Sequence, residues 1–121
     1  MSYDIRTADG IRILLADRHD VAERKMMGGL VFMVGGNMCV VVSGRGGLLV
    51  RVGPEAQARV LGEAHVTPMT MAGRPMTGFV RVAAEGYRTA AALHKWIKRG
   101  LDHVATLPPK TAKRRPARTR R

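Results

Sequence analysis

Four histidines, one cysteine and nine carboxylates are the residues with which this chain of 121 could do metal, nucleophilic or acid–base chemistry. Metal binding needs imidazoles that converge. His94 and His103 fall in one helical stretch, but nine positions at about 100° each turn them to opposite faces, so they cannot share an ion. His19 and His65 fall at the ends of elements and read as surface imidazoles. A single cysteine excludes an internal disulfide and any multi-thiolate site. Cys39 lies in a strand-like run and reads as a small buried hydrophobe rather than a reactive thiol. Ser43, in Val41-Val42-Ser43-Gly44-Arg45, lacks the leading glycine of a nucleophile elbow. The pairs Gly28-Gly29, Gly35-Gly36 and Gly46-Gly47 lack both the Lys-Ser/Thr of a phosphate loop and the spacing of a dinucleotide fingerprint; hairpin turns and bulges explain them. The carboxylates are scattered. The expectation is a chain that is not an enzyme and takes no cofactor and no metal.

Charge is the stronger signal. Lys plus Arg number 21 against 9 Asp plus Glu, a formal net charge of +12. Seven of those bases, Lys110, Lys113, Arg114, Arg115, Arg118, Arg120 and Arg121, follow Pro108 with no acid among them. That segment has three prolines and no large apolar side chain, so it cannot bury enough surface to offset its ordering entropy. Residues 1–107 are expected to fold as one α+β domain and residues 108–121 to form a disordered basic tail. No apolar run approaches the ~20 residues of a membrane span, and no signal pattern opens the chain. A soluble, cytoplasmic protein that does not engage a membrane is expected.

The elements follow from periodicity. Ile5, Ala8, Ile11, Leu14 and Leu15 form a one-sided helical stripe, interrupted by Gly10 and ending near Arg18 to Asp20. Leu30–Val34, Asn37–Ser43 and Leu48–Val52 are apolar and partly β-branched, and Gly35-Gly36 leaves a two-residue turn between the first two. A tight turn there pairs Val34 with Asn37, Phe32 with Cys39 and Leu30 with Val41. It leaves Val31, Met33, Met38 and Val40 on the other face. Gly53-Pro54 opens a short helix with Val60, Leu61 and Ala64 on its buried edge. His65–Met71 and Met76–Val82 form a hairpin, and Pro68 pushes the first of these toward the sheet edge. Thr89 caps a last helix carrying Leu93, Trp96, Ile97, Leu101 and Val104, which Pro108-Pro109 stops. The predicted fold is an antiparallel sheet of about five strands, a three-strand meander plus a hairpin, packed with N-terminal, central and C-terminal helices.

Methionine is the compositional oddity, with eight in the chain. Flexible thioethers either fill irregular gaps in a core or make an adaptable binding surface. Several exposed methionines on one face would favour the second. The meander is apolar on both faces, so a second layer of chain, or a homodimer partner, is needed to cover one of them.

The run from Glu23 to Cys39 resembles the TfoX/Sxy N-terminal domain family. That family's signature is a Lys-Met-Phe-Gly-Gly stretch, a strand, a glycine turn and a Met-aromatic or Met-Cys strand. Lys25, Met26, Gly28 and Gly29 match it, and Met27 stands where Phe is usual. Leu48–Gly53, Pro68-Met69, Gly73–Met76 with Gly78-Phe79-Val80, Trp96 and Ala105–Lys110 are similar to small stand-alone members. The likeness spans about residues 3–110. It implies a non-enzymatic protein linked to transcription, since the family takes its name from regulators of natural competence in bacteria. It supplies no catalytic or ligand residues. Many members carry a second, helical domain; here only the basic segment is expected after the first.

Two functions are weighed. The first is a regulatory module that engages a protein partner or itself, while the tail attracts nucleic acid without reading sequence. The tail has no aromatic residue to stack on bases, and no helix-turn-helix pattern supports base reading. The alternative is a small ligand-binding protein or enzyme with a pocket between sheet and helices, drawing on Lys25, Arg51, His65 and Arg81.

Overall fold

In a computed structural model of the chain, the described residues are 3–26 and 28–109. Met27 and the seven tail bases, Lys110 to Arg121, lie outside them. Along the chain run α1 (Ile5–Leu14), β1 (Val21–Met26), β2 (Gly29–Val34), β3 (Asn37–Val42), β4 (Leu48–Arg51) and α2 (Pro54–Val60). Then come β5 (Val66–Met71), β6 (Arg74–Val82), a 3-10 turn (Ala84–Tyr87) and α3 (Ala90–Val104). The fold is α+β. All strand pairings are antiparallel, in the order β1-β2-β3-β4-β6-β5. The meander and the hairpin are both present, and the hairpin joins the meander through β6 on β4. Pro68 lies on β5, at the edge, where a missing N–H costs no ladder bond.

The sixth strand, β1, precedes the meander in sequence. Its sequence Val-Ala-Glu-Arg-Lys-Met is exposed along nearly its whole length and shows no apolar alternation. It is held by its ladder to β2 and by a side-chain strut. The Arg12 guanidinium of α1 donates to both carboxylate oxygens of Glu23, at 2.8 and 2.7 Å, and to Asp9 at 2.7 Å. The helix ends at Leu14, earlier than its stripe suggests, because the chain must turn into β1. Its buried side chains are Ala8, Ile11 and, just past its end, Leu15, whereas Ile5 and Leu14 are exposed.

The β2–β3 turn is the one the glycines predict, with φ of 60° at Gly35 and 81° at Gly36. Val34 faces Asn37 as expected, but the register then shifts. Phe32 pairs with Val40 rather than Cys39, and Leu30 with Val42 rather than Val41. Cys39 is the extra residue of a bulge, so Cys39 and Val40 both point to the helical side and Val41 takes the opposite face. The gain is packing: the bulge seats Cys39 beneath α3 beside Val104 while Val40 and Val42 stay in the main core.

That core lies between one sheet face and the three helices, with Phe32, Val40, Leu48, Val50, Val80 and Val82 below Ile11, Val60, Leu93, Trp96 and Ile97. Thr89 caps α3 as predicted, its hydroxyl oxygen accepting from Ala92 N at 3.0 Å. After the helix, Pro108 is tied back to the body, because the buried Asn37 amide donates to its carbonyl at 3.1 Å.

The two glycines of the Lys25–Gly29 motif act differently: Gly28 takes a φ of 74°, and Gly29 allows a close approach. A Cβ on Gly29 would run into the Val42 carbonyl, and one on Gly44 into the Gly28 carbonyl. The β1–β2 connection is thus pressed onto the end of β3 with no room for a side chain at Gly29 or Gly44. Gly29→Ala is expected to destabilise the fold by about 3 kcal/mol, because the obstacle is backbone and cannot rotate away. Chemical denaturation checks this, and an unchanged midpoint would contradict it.

Acid should loosen the same frame. Hydrogen bonds from Arg18, Arg12 and Arg99 hold Asp20, Glu23 and Glu63 below their ordinary carboxylate values. Groups with lowered folded-state pKa stabilise above their unfolded pKa and lose that contribution as pH falls through the folded one. The melting temperature is therefore expected to drop progressively below pH 4.5, the ordinary value of Glu23 and Glu63. A flat profile from there down would contradict it.

Candidate interaction surface

The residues with chemical potential do not converge. His94 and His103 share α3, with His94 exposed and the His103 ring lying against Gly53 at the start of α2. His65, at φ 69°, precedes β5. Among the described residues, no three His, Cys, Asp or Glu side chains are grouped so as to hold a metal ion. Also among them, no helix is long and apolar enough to cross a membrane. Cys39 is fully buried, and burial pushes its thiol up to about 12. It should therefore resist thiol reagents at about pH 8 in the folded chain and react at once on unfolding. Prompt labelling of the native protein would contradict this. Ser43 is buried too, its hydroxyl accepting from Arg45 N at 3.1 Å.

The four polar groups suggested for a pocket do not all converge; only His65 and Arg81 meet, at one depression. Lys25 pairs with Leu30 and so takes the helical side of the edge strand, while Arg51 and Arg81 take the opposite face. His65 borders a depression of about 470 Å3 that Arg81 and Arg45 also line.

What the strands do bring together is a surface. The sheet face opposite the helices has its own apolar cluster, Val31, Val41, Leu49, Met69 and Phe79, and every member comes from a strand. Met33, Met38 and Met76 pack around it. Register puts Met26 on this face as well, and Met71 shares a groove with Met69 and Leu49. All six described methionines thus belong to one side of the sheet. Met26 and Met71 are exposed, at 37% and 39%, and Met33, Met38 and Met76 are half-buried. The β5–β6 hairpin helps to shelter the centre: Met69 alone on β5 stands opposite Met76 to Phe79 on β6. Extra chain in one arm bends a hairpin, and this one brings Met69, Met76 and Phe79 against the cluster.

Arginines surround these apolar residues. Arg24 lies opposite Val31, and Arg51 and Arg81 alternate with core residues of β4 and β6. Arg51 donates to Met38 O at 3.3 Å, and its guanidinium lies 5.6 Å from the Phe79 ring centroid. Arg81 donates to Gly46 O at 2.8 Å. Backbone carbonyls thus fix these two groups without neutralising them. Among the described residues, the ion pairs involve Arg12, Arg18, Lys95, Lys98 and Arg99, and none involves Arg24, Arg45, Arg51 or Arg81. Glu23 is the one carboxylate within the six strands, and it turns toward Arg12 on the helical side.

Sequence reasoning raised the methionines as a candidate surface but did not place them. Arg24 and Arg45 carried no signal, because their position depends on the neighbours of β1 and on the loop after β3.

Neither a curated protein nor a solved structure matches the chain. The family model for the TfoX N-terminal domain matches residues 13–104. That stretch takes in the sheet, the close-packed Gly28-Gly29 and Gly44 contact, and α3 to its last residue. This chain belongs to the TfoX N-terminal domain family.

Proposed function

We propose that the chain is a non-catalytic regulatory module that works by binding another protein, with a basic segment that draws nucleic acid to it without reading sequence. The supporting observation is the sheet face opposite the helices, apolar and methionine-rich at its centre, with arginines that have no carboxylate partner among the described residues. Thioethers repack at low cost and suit a surface that must fit a partner. Family membership supports a role in transcriptional regulation, since the competence regulators that give the family its name act on transcription. The seven bases from Lys110 to Arg121 supply the attraction to polyanions.

The test is a pull-down with the full chain and a version ending at Pro109, each with and without nuclease. A protein partner retained by both after nuclease supports the reading. Capture that disappears with nuclease, or with the basic segment, overturns it.

A further inference from the structure

We infer that the helix-free sheet face is a docking site for an acidic amphipathic segment of another protein. The inference rests on the binding-module reading above and adds the chemistry of the partner. Three observations select it. The centre of the face is apolar: Val31, Val41 and Leu49 are buried beneath half-buried methionines. The groove at one side, about 310 Å3, has Leu49 and Met69 in its lining with Met71, Arg45 and Arg81 beside them. That is at the small end of ligand-pocket sizes, roughly 300–1,000 Å3, and suits anchoring side chains of a peptide. Finally, four arginines, Arg24, Arg45, Arg51 and Arg81, supply positive charge, and none of them is in an ion pair among the described residues. Guanidinium groups pair bidentately with carboxylates, so Glu or Asp flanking an apolar stripe completes the face.

The same charge argues against other occupants. A second copy would set arginine against arginine, and like charges across an interface are costly. The chain's own basic segment is repelled for the same reason. Nucleic acid would lay phosphates over Val31, Val41 and Leu49, which offer them no hydrogen bond, and Phe79, the aromatic ring of the cluster, is buried.

The experiment uses the full chain with 13C-labelled methionine methyl groups in about 150 mM salt, which screens long-range attraction to the basic segment. The probe is a synthetic helical peptide of about 18 residues with leucine on one face and glutamate on the other. Its addition is expected to shift the methyl resonances of Met33, Met38, Met69, Met71 and Met76. The double variant R24E/R45E, both positions exposed, should weaken the apparent affinity at least about tenfold while its melting temperature stays unchanged. Unmoved methionine signals overturn the inference. So does an equal response to the peptide with lysine in place of glutamate, a response to a thymidine oligonucleotide instead, or shifts produced by protein concentration alone. If the face ignores the peptide while the chain still retains a nuclease-resistant partner, this inference alone fails and the binding-module reading stands.

Discussion

Removing residues 110–121 is expected to abolish most of the salt dependence of duplex DNA binding. Seven bases that each neutralise a phosphate release counterions on binding, and the slope of log affinity against log salt for the full chain should be about −6. Affinity then falls by roughly three to four orders of magnitude between about 50 and 200 mM salt. The body contributes little in comparison. Five of its fourteen bases, Arg12, Arg18, Lys95, Lys98 and Arg99, are tied to carboxylates, and four others, Arg24, Arg45, Arg51 and Arg81, border an apolar patch that suits phosphate poorly. The shortened chain should bind DNA weakly with a slope near zero. Anisotropy titrations at several salt concentrations measure both slopes. An unchanged slope after deletion would place the nucleic-acid contact on the folded body.

Trp96→Ala is expected to cost about 3–5 kcal/mol, enough to unfold much of a domain whose total stability is of order 5–15. Trp96 is among the largest fully buried side chains and sits where α3 meets the sheet and α1. Its indole N–H donates to Gly86 O at 3.0 Å, which fixes the 3-10 turn against the helix. The Arg99 guanidinium stacks 4.6 Å from the ring centroid and also reaches Glu63, so truncation loosens the connection to the segment after α2 as well. Trp96→Phe should recover most of the packing but not the hydrogen bond, and so fall in between. Circular dichroism in denaturant tests the series, because the one native tryptophan is lost. Similar stability for all three proteins would contradict the packing described.

Much of this architecture was legible because local physics and global fold agree. The stripe Leu93-Trp96-Ile97-Leu101-Val104 with Thr89 at its start marks α3, although the helix ends at Val104, before the prolines expected to stop it. Gly35-Gly36 gave the turn, and Phe79 and Val80 went to opposite faces as their alternation requires. Where the local signal was silent, the fold went unseen. The strand β1 is polar because it is an edge strand held by a ladder and by Arg12, neither of which leaves a periodic trace. The bulge at Cys39 sits in the unbroken apolar run Cys39-Val40-Val41-Val42, where a one-residue slip leaves the pattern looking the same.

The interaction surface was half legible. Eight methionines in a chain with few aromatics already asked for an explanation, and an apolar pattern on both sheet faces already implied something to cover the second. What composition could not show is that all three helices gather on one side. That arrangement follows from α1 packing on α3, α3 lying across β3 and β4, and α2 sharing the same core through Val60. The methionines and the unpaired arginines are left together on the other side.

The most direct measurement is methionine oxidation by dilute peroxide, followed residue by residue in the free chain and in the nuclease-treated complex with its captured protein partner. In the free chain Met26 and Met71, the most exposed of the described methionines, should oxidise first and the buried Met69 last. In the complex, Met33, Met38, Met71 and Met76 should become protected together. Oxidation of those four at the same rates in the free and bound chain would show that the partner sits elsewhere.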